Sequence, residues 1–188
     1  MKTALLASYT KDEQLSHLAR LLKDDAWSLL GSAGTAKYLN DSGIACRDVA
    51  EIVGPPILGH RVVTLSREIY AGLLATEADT PEIEAQGILW IDLVYVTLYP
   101  LEQTIQAGAS PAEVIEKTDI GGPTLLRAAA KGRRITLSDP AQIQTLESWM
   151  HSKRSEDERE KLVTELAAAA ERRVAEYVAA SATYWENQ

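Results

Sequence analysis

The residue types best suited to chemistry lie in residues 119–131, DIGGPTLLRAAAK. A carboxylate, Asp119, precedes two glycines, a proline and an Ala-rich run that ends on Lys131. Gly121 and Gly122 have no Cβ, so their amides can approach a ligand closely. Pro123 suits the first turn of a helix, where its missing N–H costs nothing. A helix starting there offers free N–H groups and partial positive charge to an anion or a carbonyl oxygen. The plain alternative is a glycine turn leading into a buried helix. A second small-residue turn, residues 31–35, follows the apolar run 27–30, and Tyr99 follows a third run, 88–98. Ligands of parallel α/β sheets collect at the carboxyl ends of strands. Residues 32–35, Tyr99, residues 119–122 and Lys131 are therefore expected to border one cleft.

Placing those groups together requires alternating strands and helices, and the chain reads that way. Residues 4–8 form a short apolar strand, followed by a helix over about 12–23 with Leu15, Leu18, Leu21 and Leu22 on one face. A strand at 27–30 leads through the small-residue turn into a helix toward Gly43. Pro55 and Pro56 mark an irregular loop, and residues 61–65 read as an extended piece. Thr80-Pro81 is a helix start, with the threonine as cap. Residues 88–98 suit a fully buried parallel strand, in which Asp92 needs a hydrogen-bond partner near the start. Ser110-Pro111-Ala112-Glu113 and Ser155-Glu156-Asp157-Glu158 are capping boxes. Between them lie a last strand at 135–138 and a helix capped by Asp139-Pro140 that runs toward Met150. The final helix runs to about Tyr184, with Leu162, Leu166, Ala170, Val174, Tyr177 and Val178 as its apolar stripe. This order predicts an α/β fold, a parallel sheet flanked by helices, in a single domain over residues 1–188.

Composition excludes several classes. A chain of 188 residues can bury roughly 70% of its unfolded surface as one domain. Its net charge of −8 argues against a nucleic-acid surface, which needs clustered cations. No apolar run reaches membrane-spanning length, and the apolar stretch in MKTALLASYT is too short for a signal peptide. The single cysteine, Cys46, cannot form an internal disulfide and suits a reducing cytoplasm, where it reads as a small buried residue. His17, His60 and His151 show no metal-ligand spacing, so no metal site is expected. Arg127 reads as structural, and Trp27, Trp90, Trp149 and Trp185 read as core or interface groups.

DIGGPTLLRAAAK resembles, almost letter for letter, the signature of the IMP cyclohydrolase domain in the bifunctional AICAR transformylase/IMP cyclohydrolase family. Ser32-Ala33-Gly34-Thr35-Ala36 resembles that family's S-G-G-T-A, and Arg61-Val62-Val63-Thr64-Leu65 its R-V-K-T-L. Thr97-Leu98-Tyr99-Pro100-Leu101 resembles N-L-Y-P-F, in the same order and at nearly the same intervals. The resemblance implies a methylglyoxal-synthase-like, Rossmann-like three-layer sandwich with C-terminal helices. It also implies a cytoplasmic homodimer without cofactor, acting on a small nucleotide-like substrate. In the family reaction a carboxamide nitrogen attacks a formamide carbon and water leaves, closing a purine ring. Such a step needs near-attack geometry, donors for the oxyanion and a group that handles the proton. Carried over by resemblance, Asp119 orients the carboxamide, while Lys131 and Tyr99 serve the formyl oxygen and proton transfer. Ile120, Gly121 and Gly122 line the base site, and Arg61 and Thr64 complete the nucleotide pocket. Lys11, Ser32, Gly34 and Thr35 are the remaining substrate-binding residues. Each has a plain alternative: Lys131 as a solvated helix-end lysine, Arg61 as a surface ion-pair member, Tyr99 as a core ring.

The departures bear on the reaction. Val63 stands where the family has lysine, and an apolar side chain can neither donate nor hold charge. Ser66-Arg67-Glu68-Ile69-Tyr70 replaces H-P-x-x-H, removing two histidines. Tyr9-Thr10-Lys11-Asp12-Glu13 replaces S-D-K-T-G, which keeps the lysine but places two carboxylates where a phosphate contact is expected. Thr97 and Ala33 replace an asparagine and a glycine. The expected activity is a divergent ring-closing dehydration, or its reverse, on a purine-precursor ribonucleotide or an analogue, in a specialised pathway and without formyl transfer. The alternative is a non-catalytic nucleotide-binding or partner module that kept the framework.

Overall fold

A computed structural model describes residues 2–59 and 61–188. Five strands build one parallel sheet: β1 (Thr3–Ser8), β2 (Ser28–Gly31), β3 (Arg47–Asp48), β4 (Leu93–Thr97) and β5 (Ile135–Leu137). Their order is β3-β2-β1-β4-β5. The chain starts at the centre, winds to one edge, then crosses to the other, so the switch point lies between β1 and β4. Alternation along the strands feeds two cores. Leu6 and Tyr95 enter one, with α1 (Glu13–Asp24), α2 (Ala33–Asp41) and α9 (Ile143–Met150). Leu5, Val94 and Val96 enter the other, with α4 (Arg67–Leu74) and α8 (Gly121–Lys131). That gives the three-layer α/β sandwich expected, each fully buried side chain contributing ~1.5–3 kcal/mol.

The shorter helices are α3 (Ala50–Val53), α5 (Thr80–Ala85), α6 (Leu101–Gln106) and α7 (Pro111–Glu116). The long α10 (Glu156–Glu186) places Leu162, Val163 and Leu166 in the first core and Ala170, Val174 and Tyr177 in the second. It thereby covers the open edge at β5. Val178 departs from the expected stripe: it is exposed. Both capping boxes form, at Ser110/Glu113 and Ser155/Glu158. Among the described residues no helix is long and apolar enough to cross a membrane.

Three expectations need correction. Residues 61–65 form no strand, only an isolated bridge of Val62 with Ile57, because Ser66 caps α4 and bends the chain into it. Within 88–98 only β4 pairs. Residues 88–92 instead cross α4 at Gly72, whose absent Cβ would lie 2.2 Å from the Leu89 carbonyl oxygen. The helix start at Thr80-Pro81 is met, but Thr80 is the first residue of α5 and not its cap, which is Asp79, and Thr76 caps the preceding turn together with Asp79. Asp92 behaves as expected, its carboxylate accepting from the Thr3 amide at 2.8 Å. Buried Arg134 ends α4, donating to the carbonyls of Leu73 at 2.8 Å and Ala75 at 2.6 Å.

Candidate functional site

A cleft of about 710 Å³ opens where β1, β2 and β4 end. One wall is the β2–α2 turn. A Cβ on Gly31 would stand 2.8 Å from the Ala36 amide, so the strand can turn directly into the helix. The Ser32 hydroxyl does not cap α2 but donates to Thr35 Oγ1 at 3.0 Å. Thr35 Oγ1 also accepts from the Ser8 amide at 3.1 Å, fastening α2 to the end of β1. The first amides of α2 lack partners within the helix, and Ala33 and Gly34 border the cleft. Lys11 reaches over this turn. Its Nζ donates to the carbonyls of Ser8 and Tyr9, and a Cβ on Gly34 would lie 3.8 Å from it. The residue as a whole is exposed, yet the burial around its ammonium lowers its pKa from the ordinary 10.5. The two carboxylates that threatened this spot are occupied elsewhere: Asp12 caps α1 through the Leu15 amide at 3.0 Å, and Glu13 is solvated in the first turn. Thr97 organises the loop that carries Lys11, since its Oγ1 accepts from the Tyr9 amide at 2.7 Å and shares a hydrogen bond with Ser8 Oγ at 2.8 Å.

The facing wall is the α7–α8 loop. Tyr177 on α10 anchors it, accepting from the Asp119 amide at 2.8 Å and donating to the Lys117 carbonyl at 3.1 Å. Asp119 folds back over the start of α8, its Oδ1 accepting from the Gly122 amide at 2.9 Å. Burial raises the Asp119 pKa above 3.8, against the backbone donors of Gly122, Tyr99 and Gly121. The two glycines therefore serve a different contact from the one expected. A Cβ on Gly122 would lie 2.4 Å from Asp119 Oδ2, and one on Gly121 would lie 3.1 Å from Thr64 Oγ1. They let the helix close on its own carboxylate, which occupies the Gly122 N–H. Burial, together with the Asp119 charge, raises the Tyr99 phenol, so it stays protonated at neutral pH and can donate. Its ring meets that of Tyr9 at 5.2 Å, and Lys117 Nζ lies 5.5 and 5.8 Å from the two ring centroids.

The structure brings Lys11, Ser32, Gly34, Arg61, Thr64, Tyr99, Asp119, Ile120, Gly121 and Gly122 to this one cleft. Two expected residues are not among them. Thr35 is fully buried behind Ser32, so it positions the turn rather than touching a ligand. Lys131 is exposed at the opposite end of α8, ~15 Å along the helix axis from Gly121, because the helix runs away from the strand ends. Arg61 borders the cleft but holds Glu116 at 3.1 Å. Val63 borders it as well, apolar where the resemblance implied a cation. Arg127 holds Glu171 at 3.2 Å, in keeping with a structural role. Buried Cys46 has its thiol pushed up to about 12 and is unreactive. His17 pairs with Glu147, and His60 lies outside the described residues. Among the described residues no group of three or more His, Cys, Asp or Glu could hold a metal.

Sequence reasoning missed Trp185 and Glu116 as cleft residues and took Thr97 only as a departure. A polar residue ending the apolar β4 run was a readable signal for Thr97; Trp185 carried none. Chemically, a cation and helix amides at one wall suit an anionic group. A carboxyl group of raised pKa beside a phenol suits holding and moving a proton.

A model of the MGS-like domain matches residues 14–124. The chain is 43% identical over 143 residues to the bifunctional purine biosynthesis protein PurH of Aquifex aeolicus, covering 73% of this chain and 28% of that protein. It is 36% identical over 191 residues to PurH of Deinococcus deserti, covering 99% of this chain and 36% of the relative. The chain thus spans about a third of the length of these curated relatives. The crystal structure of ForH superposes with a TM-score of 0.81 at 32% identity, covering 96% of this chain and 97% of that one.

Proposed function

Because the chain belongs to the MGS-like domain family, we propose that it is a cyclohydrolase-type enzyme acting on a purine-precursor ribonucleotide or a close analogue. One observation carries this reading: a single cleft joins the Lys11/α2 wall to the Asp119/Tyr99 wall. In the proposed step the phosphate rests at Lys11 and the first amides of α2, as an anion does at a helix N-terminus. The heterocycle then lies toward α8. Asp119 orients the carboxamide and accepts a proton from its nitrogen as that nitrogen attacks the formyl carbon. Tyr99 donates to the formyl oxygen, where negative charge develops. The attack itself closes the ring and leaves a hydroxyl on the former formyl carbon. That hydroxyl takes the proton held by Asp119 and leaves as water, while the formamide nitrogen gives its proton back to Tyr99 and the ring C=N bond forms. A burial-raised Asp119 suits such shuttling, since its pKa is moved toward the working pH. Lys131 has no part in this step within one chain. A homodimer belongs to the same reading, with exposed Val178 on α10 as apolar surface, and sedimentation of the purified protein checks it.

A second reading, a nucleotide-binding module without turnover, is favoured by one feature. Val63 leaves the reacting end without the cation implied by the resemblance. One experiment separates the two. Purified protein is assayed for conversion of the formamido-carboxamide ribonucleotide to IMP, and IMP binding is measured by calorimetry. Turnover abolished by Asp119→Asn supports the enzyme; IMP binding without turnover supports the module. Absence of both, with the protein folded, removes the purine reading.

A further inference from the structure

We propose that Trp185 is a base-stacking wall of the cleft and that it selects for ligands carrying a flat heteroaromatic ring. The proposal rests on the nucleotide reading above and deepens it. Trp185 lies in the last turn of α10, beyond the residues matched by the family model, and yet it borders the same cleft as Lys11 and Asp119. Its place there is built. Neighbouring Tyr184 packs against the second core, and the Trp185 ring meets it edge-on at 4.9 Å and 75°. Asn187 Nδ2 donates to the Thr183 carbonyl at 2.7 Å, which caps the helix end that carries the indole. One turn pair earlier, Tyr177 ties the same helix to the Asp119 loop through two hydrogen bonds. The indole is thus presented at a set height relative to Asp119, and it remains 45% exposed.

Topology puts it opposite the cationic wall. Lys11 and α2 lie at the β1 and β2 side of the sheet, whereas α10 runs along the β5 edge and beside α8. Ile115 and Ile120, both exposed, line the same cleft as Trp185 and add apolar surface to it. A ligand held by its phosphate at Lys11 must therefore extend its ring toward Asp119, Tyr99 and Trp185. A heteroaromatic ring has polar edges and apolar faces. Its edges suit the Asp119 carboxyl and the Tyr99 hydroxyl; its face suits an indole, with which bases stack irrespective of their hydrogen-bonding pattern.

The test uses two probes, IMP and ribose 5-phosphate, which share the phosphate and differ in the ring. Affinities are measured by calorimetry for the wild type, Trp185→Phe and Trp185→Ala, with tryptophan fluorescence recorded alongside. Trp27 and Trp149 are buried and Trp90 lies under Arg134, so an indole in contact with the ligand should dominate any quenching. The expected result is a loss of IMP affinity on the order of 10-fold in Trp185→Ala. Trp185→Phe should retain most of the affinity, ribose 5-phosphate should bind all three proteins equally, and the IMP-dependent quench should vanish in both variants. If IMP binds the wild type and Trp185→Ala equally, the stacking proposal is overturned while the nucleotide reading stands. Equal loss for both probes also overturns it, because the residue would then support the cleft rather than read the ring. If neither probe binds the wild type, the nucleotide reading falls and the stacking proposal falls with it.

Discussion

Gly122→Ala tests whether the glycine pair serves the protein's own carboxylate. An added Cβ would stand 2.4 Å from Asp119 Oδ2 and 2.7 Å from Leu98 Cδ2, both well inside contact distance. Leu98 is buried in the second core and has little room to withdraw. The cheaper response is for the Asp119 carboxylate to swing away, which breaks its 2.9 Å bond to the residue 122 amide. Losing a hydrogen bond to a charged acceptor costs ~1.5–3 kcal/mol, and the residual overpacking against Leu98 ~1 kcal/mol or more. Better helix propensity of alanine returns at most ~1 kcal/mol. The net expectation is a loss of about 2–3 kcal/mol, or a Tm lower by roughly 4–12 °C for a chain of this size. Gly34→Ala is the matched control, because its Cβ meets only Lys11 Cε at 3.6 Å and Nζ at 3.8 Å, ordinary contacts. Its stability should be unchanged or slightly higher. Both Tm values come from calorimetric scans. A Gly122→Ala protein as stable as wild type, with Asp119 still against the helix, would refute the argument.

Val63→Lys restores a cation at the reacting end; if the family substrate still fits, conversion of the formamido-carboxamide ribonucleotide to IMP should rise about 10²–10³-fold, and an unchanged rate in a protein that binds IMP counts against a missing cation. Thr97→Val removes the acceptor of the Tyr9 amide and the partner of Ser8 Oγ. It should cost ~1–3 kcal/mol in chemical denaturation and also weaken phosphate binding by releasing the Lys11 loop; loss of stability without loss of binding argues against that link. Phosphate-bearing ligands should bind well while Lys11 is an ammonium and weaken as pH rises through its pKa. Burial places that pKa below the ordinary 10.5, so the loss should begin below that of a solvated lysine and be absent in Lys11→Met. Affinities measured across pH 7–10 in this variant and the wild type check the sign.

Much of the framework was legible because it depends on local pattern. The capping boxes at Ser110 and Ser155 formed because a serine and a glutamate three residues apart satisfy each other's backbone whatever surrounds them. Short apolar runs separated by helical periodicity sufficed for β1, β2, β4 and β5 and for a parallel sheet. The same logic failed where a neighbour overrode it. Residues 88–92 look like strand, but they must pass over Gly72 of α4, and residues 61–65 are bent by the Ser66 cap.

In the site, sequence alone determined which groups arrive at the strand ends, because residues just after β1, β2 and β4 have nowhere else to be. What each group does there was decided by contacts between segments far apart in the chain. Asp119 consumes the Gly122 amide that the pattern offered to a ligand, and Arg61 is met by Glu116. Asp12 and Glu13 turn away into α1, while Lys131, in the same motif as Asp119, is carried a helix length from it. Trp185 enters only because α10 wraps the β5 edge and Tyr177 locks it to the Asp119 loop. Spacing along a chain sets which residues share an element. The rotation and length of that element, and what another element places against it, decide which of them face the same ligand.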